Sequence, residues 1–227
     1  MADERLILVQ RHEHWAEVAL NRPHRRNAFT ALMALELAST LSTLDTDAGV
    51  QVILLRGEGG AFSSGIDLKE REQPGGPPFA TSWRALHERL FATRTPVIGA
   101  LERLAINAGA ALALACDLLV VGETAFLHVG EAAMGMTAPM NVGWLALRHG
   151  EAVAMQLTLS ARRFAGPDLL RLGIALDCVP NDRVAEHARE LATTLAGWPP
   201  GTLAQIKAAH RRFATSDAAG WFDRAVG

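Results

Sequence analysis

Residues 50–70 read VQVILLRGEGGAFSSGIDLKE, an aliphatic run followed at once by four glycines and two serines. The run from Val50 to Leu55 is typical of a strand that is covered on both faces, as the strands of a parallel sheet are. Glycine and serine then favour a sharp turn over an immediate helix. Residues 50–70 therefore predict a central strand that ends in a tight loop.

The segment before this strand predicts the start of a sheet and a first helix. Alternating apolar residues at 15–20 predict a strand, paired with residues 6–9 across a polar turn at 11–14. Thr30 is placed to cap a helix over residues 31–44, in which leucines recur at helical spacing.

The segment after residue 70 continues the alternation of strands and helices. The Gly- and Pro-rich residues 70–78 predict a surface loop. Strand, helix and strand patterns then follow at 97–101, 107–115 and 117–122, which indicates parallel crossover units. Beyond residue 139 the pattern is mainly helical, with predicted helices at 151–159, 182–196 and 202–213 and a short strand at 175–179.

Composition limits the classes of partner that the chain can have. The 227 residues carry a formal charge of -2, with 49% hydrophobic and 20% charged residues, which is ordinary for a globular protein. Since the arginines form no basic stripe, we expect no nucleic acid partner. The longest apolar stretch, residues 108–121, is interrupted by Cys116 and Asp117 and is too short to span a membrane. The acidic N-terminus does not resemble a signal peptide, so we expect a cytoplasmic protein.

The cysteines and histidines give no sign of a metal site. Cys116 and Cys178 stand alone among apolar residues, which predicts buried, reduced thiols. The eight histidines show no metal-ligand spacing, and His12 and His14 are predicted to lie on the surface.

Three blocks, in order, resemble the crotonase (enoyl-CoA hydratase/isomerase) superfamily. They are LNRPHRRNAF at 20–29, AFSSGIDLKE at 61–70 and AINAGAALALACD at 105–117. The resemblance implies an α/β fold, a spiral of ββα crossover units with a C-terminal helical region. It divides the chain into an acyl-CoA-binding core at 1–165 and a shortened helical region at 166–227. It also implies a CoA thioester substrate, no separate cofactor because coenzyme A is part of the substrate, and a homotrimer or hexamer.

The turn after the central strand can present a backbone donor. Gly65 permits the tight geometry that turns an N–H inward, and Asp67 can accept from local backbone donors. That leaves the Ile66 N–H free to point at a ligand. A plain strand-to-helix turn would use the same residue types, so this alternative stays open.

The resemblance places a second oxyanion donor at the Ala108 N–H. A helix N-terminus there presents free N–H groups and positive potential, which favour the negative charge that develops on a thioester oxygen. A helix packed closely through its alanines would give the same pattern. The family usually has glycine where this chain has Asn107 and Ala108.

The resemblance also places one catalytic carboxylate but not a second. Glu131 matches the family's second catalytic glutamate, and its apolar neighbours favour a desolvated carboxylate with a raised pKa. The alternative for Glu131 is a solvated turn. Ala111 stands where hydratases with two glutamates carry the first of them, and alanine can neither hold nor protonate a water.

Other site residues are assigned from the same blocks. Arg26 could neutralise a CoA phosphate, although a basic pair in a loop is often plain surface. His128 is read as strand-end surface rather than an acid/base, and Asn141 as a helix cap rather than a group that orients substrate or water. The residues expected to line the substrate groove are Arg26, Ala28, Ser64, Ile66, Asp67, Leu68, Ala108 and Ala111.

One carboxylate and an oxyanion hole suffice to remove a proton alpha to a thioester and to return it at another carbon. The sequence therefore favours a 3-enoyl-CoA to 2-enoyl-CoA isomerase that uses Glu131, Ile66 and Ala108. Two alternatives stay open. One is a hydratase or related enolate enzyme that uses Glu131 with water or His128. The other is a non-catalytic acyl-CoA-binding homologue.

Overall fold

The computed structural model describes residues 5–69, 76–213 and 218–226. Its strands are β1 (Ile7–Arg11), β2 (Trp15–Leu20), β3 (Val52–Gly57), β4 (Val97–Leu101), β5 (Leu104–Ile106), β6 (Leu118–Gly122), β7 (Phe126–His128), β8 (Arg163–Ala165) and β9 (Asp177–Val179). Its helices are α1 (Ala31–Asp45), α2 (Phe79–Ala92), α3 (Ala108–Ala115), α4 (Pro139–Arg148), α5 (Gly150–Ser160), α6 (Gly166–Arg171), α7 (Val184–Ala196), α8 (Thr202–Arg211) and α9 (Ala218–Val226). Single 3-10 turns include Glu58–Gly60 and Glu131–Met134.

The strands form two sheets. The larger has the order β1-β2-β3-β4-β6-β9, in which β1 and β2 are antiparallel and every other neighbouring pair is parallel. The smaller has the order β5-β7-β8. This arrangement confirms the predicted α/β fold of crossover units and the predicted pairing of the first two strands.

The central strand β3 is covered on both faces, as its aliphatic run predicts. Ile53 and Leu55 belong to the core cluster under helices α1, α2 and α3. Val52 and Leu54 point the other way, into a second cluster that helix α7 covers. Because successive side chains of a strand alternate between its faces, one unbroken run serves both clusters. Strand β9 and helix α7, which both follow residue 165, pack on this same sheet.

Local signals account for several element boundaries. Thr30 is the N-cap of α1, and its side chain accepts from the Met33 N–H at 3.1 Å, as predicted. Strand β1 runs to Arg11, so the predicted turn is confined to residues 12–14. Helix α2 was not predicted, nor were the three-residue strands β5, β7 and β8. Of the predicted loop at 70–78, residues 70–75 lie outside the described residues.

The described part of the chain has no helix with the length and apolarity needed to cross a bilayer.

Candidate active site

The loop after β3 is fixed on one side by the segment before α1. The Phe29 N–H donates to the Gly65 carbonyl at 2.8 Å, and the Asp67 N–H donates to the Phe29 carbonyl at 2.9 Å. In this parallel bridge the residue between, Ile66, uses neither its N–H nor its carbonyl. Within the described residues the Ile66 N–H has no acceptor. Gly65 has φ +103°, a conformation that favours glycine.

On its other side the loop is fixed by strand β5. The Ser63 N–H donates to the Leu104 carbonyl at 3.2 Å, and the Ile106 N–H donates to the Ser63 carbonyl at 3.0 Å. A Cβ placed on Gly109 would lie 2.3 Å from the Ser63 carbonyl oxygen, so helix α3 approaches the loop as closely as a glycine allows. The loop and the start of α3 therefore form one tightly packed unit.

The second predicted donor lies at the start of α3. Asn107 has the unusual backbone angles φ 51° and ψ -108°, and α3 begins with Ala108 directly after it. The Ala108 N–H has no acceptor within the described residues. A Cβ placed on Gly65 would lie 3.8 Å from the Ala108 nitrogen, so the two donor-bearing segments touch beside Ile66. That both N–H groups converge on one oxygen stays a prediction.

Glu131 begins the 3-10 turn that follows β7. Its side chain is 7% exposed, so the alternative of a solvated turn residue is wrong. Its Oε1 accepts from the Asn141 Nδ2 at 2.9 Å, and its Oε2 is buried without a partner in the described part of the protein. Burial raises the pKa of this carboxyl, while its own backbone N–H and Asn141 act in the opposite direction. Glu131 thus has the environment of a proton-transfer group.

Asn141 was predicted to cap α4, and this prediction is wrong. Helix α4 begins at Pro139, and its N-cap is Ala138, which has φ 50°. Asn141 is the third residue of the helix and is 2% exposed. It donates to Glu131 and also to the Asn107 carbonyl at 3.2 Å. Sequence reasoning noticed this residue but gave it the wrong partner.

The other two positions near Glu131 offer it no second carboxylate. Ala111 is 1% exposed, and its N–H donates to the Asn107 carbonyl at 3.0 Å. His128 ends β7 half-buried, and its Nε2 lies 2.9 Å from the Ala161 carbonyl. A bond to a carbonyl requires the proton on Nε2, so only Nδ1 of that ring could accept a proton.

Asp67 lies behind the loop. Its side chain is 8% exposed and pairs with the buried Arg22 at 3.1 Å, and its Oδ1 accepts from the Lys69 N–H at 3.2 Å. The carboxylate therefore stabilises the loop, and its place in the substrate groove stays a prediction. Sequence reasoning missed Arg22, although it lies inside the quoted block at 20–29. Leu68 is 69% exposed.

Three further residues predicted for the groove, Arg26, Ala28 and Ser64, lie where the segment before α1 contacts the loop after β3. Arg26 is exposed with φ 50°, and its carbonyl accepts from the Ser64 N–H at 2.9 Å. Ser64 is half-buried. Ala28 is buried, and its carbonyl accepts from the Arg22 Nη1 at 2.5 Å. The structure thus brings Arg26, Ser64 and Ile66 to adjacent positions.

The described residues contain no group of three side chains that could hold a metal ion. Cys116 is buried, Cys178 is half-buried, and both are free thiols. Burial raises the pKa of the Cys116 thiol to about 12, so it is unreactive at neutral pH.

Known proteins are similar to this chain in fold and in sequence. The crystal structure of an enoyl-CoA hydratase from Bacillus anthracis superposes with a TM-score of 0.86 at 26% identity, over 97% of this chain and 89% of that one. The human enoyl-CoA hydratase domain-containing protein 2, mitochondrial, is 35% identical over 79% of this chain and 63% of its own length. The 2,3-dehydroadipyl-CoA hydratase of Escherichia coli is 29% identical over 91% of this chain and 82% of its own length.

The fold and these relatives define a crotonase-type α/β enzyme. The sequence model of the family described as enoyl-CoA hydratase/isomerase matches residues 10–221. The chain belongs to this family, and it is an acyl-CoA enzyme.

Proposed function

We propose that this enzyme converts 3-enoyl-CoA to 2-enoyl-CoA thioesters, with Glu131 as its single acid/base carboxylate. Two features together carry the proposal. Glu131 is buried, and one of its carboxylate oxygens has no partner among the described residues; position 111, where a second catalytic glutamate would stand, is an alanine. Isomerisation needs one group that removes a proton and returns it. Hydration asks in addition for a group that activates water.

The proposed mechanism uses three groups of the chain. The Ile66 and Ala108 N–H groups donate to the thioester oxygen, and the Glu131 Oε2 takes a proton from C2. The C2–H electron pair moves into the thioester to give a dienolate, whose negative charge on the thioester oxygen is stabilised by the two N–H groups. Glu131 then returns the proton at C4, which leaves the double bond between C2 and C3. One oxyanion-hole donor typically contributes about 3–4 kcal/mol to such a transition state.

Hydration of 2-enoyl-CoA is the second candidate reaction. It is favoured by the names of the relatives, which are hydratases. In this reaction the free oxygen of Glu131 would bind and deprotonate water. A non-catalytic acyl-CoA-binding role is the third candidate, and it rests on Ala111 alone.

The substrate groove and the assembly are part of the proposal. Arg26 is exposed beside the loop and can neutralise a CoA phosphate. The Ala28, Ser64, Ile66, Leu68 and Ala108 positions line the groove, with Asp67 and Ala111 behind it. No cofactor beyond the coenzyme A of the substrate takes part. The enzyme assembles as a homotrimer or a dimer of trimers.

The test is the Glu131→Gln variant, which keeps the shape of the side chain but cannot take a proton. We expect isomerisation of 3-enoyl-CoA to fall by about a hundredfold to ten-thousandfold, since a positioned general base contributes that much. Binding of acyl-CoA, followed by calorimetry, should stay nearly unchanged. Glu13→Gln is the matched control, because the Glu13 side chain is 91% exposed between β1 and β2, outside the candidate site, and should keep the full rate.

The same assay separates the three candidates. A wild type that hydrates 2-enoyl-CoA and leaves 3-enoyl-CoA unchanged would support the hydratase. Tight binding without turnover of either substrate would support the non-catalytic homologue. An active wild type with a fully active Glu131→Gln variant would show that Glu131 is not the base.

A further inference from the structure

The Asn107–Ala108 peptide unit carries two functions on its two ends. Its N–H is the proposed oxyanion donor, and its carbonyl accepts from both the Ala111 N–H at 3.0 Å and the Asn141 Nδ2 at 3.2 Å. The carbonyl and N–H of a trans peptide point in opposite directions. Two bonds on the carbonyl therefore fix the direction of the N–H.

The side-chain amide of Asn141 reaches the peptide and the base together. Its Nδ2 donates to the Glu131 Oε1 at 2.9 Å as well as to the Asn107 carbonyl. An amide nitrogen has two hydrogens, so it can serve both acceptors. The Glu131 Oε1 is thereby occupied, and Oε2 is the oxygen left for a proton.

The neighbouring contacts hold Asn107 in its unusual conformation. Its N–H donates to the His128 carbonyl at 2.8 Å, and its side-chain Oδ1 accepts from the Gly130 N–H at 2.9 Å. A non-glycine residue at φ 51° and ψ -108° persists only where its surroundings hold it. Asn107 is therefore tied to both ends of the short segment that leads to Glu131.

We propose that Asn141 is a positioning residue that couples the Glu131 carboxylate to the peptide whose N–H completes the oxyanion hole. This inference rests on the proposed function of that site. The amide sets the orientation of both groups at once, and its bond to the carbonyl polarises the peptide and strengthens the N–H on the opposite side. Its donation to Glu131 also favours the ionised carboxylate, which is the form that accepts a proton.

The titratable side chains on β7, α4 and α5, the elements next to the Glu131 turn, leave this role to Asn141, since the pKa of Glu131 is set by burial, its own backbone N–H and Asn141. His128 is bound to the Ala161 carbonyl, and Arg148 on α4 is paired with Asp117. Glu151 on α5 is exposed. Burial and the preceding Arg148 lower the pKa of His149, between α4 and α5, to about 4, so it is neutral at working pH.

The experiment uses the full chain with Asn141→Ala and the isosteric Asn141→Asp. The probe is hexanoyl-CoA with a 13C-labelled thioester carbonyl, whose infrared stretch moves to lower frequency when the oxygen accepts hydrogen bonds. We expect the wild type to lower this frequency and both variants to lower it less. We also expect kcat for isomerisation to fall by about tenfold to a hundredfold in Asn141→Ala with little change in KM, and the acid limb of its pH profile to move to higher pH.

Asn181→Ala is the matched control, because the Asn181 side-chain amide also forms two hydrogen bonds, both to Thr124, which follows β6. It should leave the carbonyl frequency and the pH limb unchanged. If Asn141→Ala does not fold, Asn141→Asp keeps the shape of the side chain, and an acidic residue in the first turn of a helix is favourable.

An unchanged carbonyl frequency and an unchanged pH limb in the folded variant would overturn the coupling. A wild type that polarises the carbonyl but isomerises nothing would overturn the proposed reaction instead. In that case the carbonyl frequency of the variants still decides the role of Asn141.

Discussion

At the scale of single residues, the chemistry depends on how Glu131 is desolvated. The raised pKa was predicted from the apolar neighbours of Glu131 in the sequence, and burial is its largest cause, although two of those neighbours, Ala133 and Met134, are themselves exposed. The partner of the carboxylate could not be predicted, since Asn141 is ten residues away on another element. A polar residue near the start of a helix fits a cap equally well in sequence, and only the backbone shows that α4 begins two residues earlier.

The raised pKa of Glu131 predicts a specific pH dependence. The base must be ionised, so kcat/KM for isomerisation should fall about tenfold per pH unit below the pKa of Glu131. Because burial raises this pKa, the fall should begin above the 4.5 of an ordinary glutamate. The measurement is a pH–rate profile of the wild type and His128→Ala. If the acid limb of the profile had its midpoint at or below pH 4.5, or if it were absent from the His128→Ala variant, the base would not be Glu131.

At the scale of elements, the site is made where the loop after β3 meets the start of α3. Strand β3, the glycine-rich turn after it and helix α3 were all predictable, since each has a local signal. Strands β5 and β7, which hold the loop and lead to Glu131, were not, because three residues carry too little periodicity. Helix α2 was missed as well. Its apolar residues are interrupted by polar ones that prove to be buried, such as Ser82 and His87.

The close approach of α3 to the loop predicts the effect of Gly109→Ala. The added Cβ would lie 2.3 Å from the Ser63 carbonyl oxygen, so the start of α3 must move away from the loop. We expect a loss of about 1–3 kcal/mol in the free energy of unfolding. We also expect the isomerisation rate to fall by about a hundredfold, since about 1 Å of displacement can cost that much.

Gly197→Ala is the control, because a Cβ there meets its nearest atom at an ordinary 3.4 Å. Chemical denaturation and the rate assay measure both quantities. If Gly109→Ala were as stable and active as Gly197→Ala, the loop and the helix would not form one unit.

At the scale of the whole molecule, the loop after β3 of the larger sheet and the turn after β7 of the smaller sheet both lie at the start of α3. The family resemblance predicted this fold because three blocks recur in order, and it implies a homotrimer or hexamer without identifying the surface that forms the interface. Four side chains near the site are about half exposed or more: Met134, Met136, Met155 and Leu159. Three of the four, all but Met134, line a cavity of about 520 Å³ between α4 and α5. Apolar side chains grouped in this way mark an interaction surface.

We therefore predict that Leu159→Arg dissociates the proposed trimer. Leu159 is 71% exposed, so its replacement by a charge should cost little in the isolated subunit but disrupt an apolar interface. Leu32→Arg, at 60% exposure on α1, is the control. Light scattering should give a trimer or hexamer for wild type and control and a smaller species for Leu159→Arg. The same mass for all three would place the interface elsewhere.

The central claim is that one carboxylate both removes and returns the proton. It is tested most directly by a single turnover of 3-enoyl-CoA deuterated at C2, with the position of the label determined by NMR and mass spectrometry. A base that is 7% exposed exchanges its proton slowly with solvent, so we predict 2-enoyl-CoA with deuterium at C4. A product without deuterium at C4, in which the added hydrogen came from solvent, or an unchanged substrate, would contradict the claim.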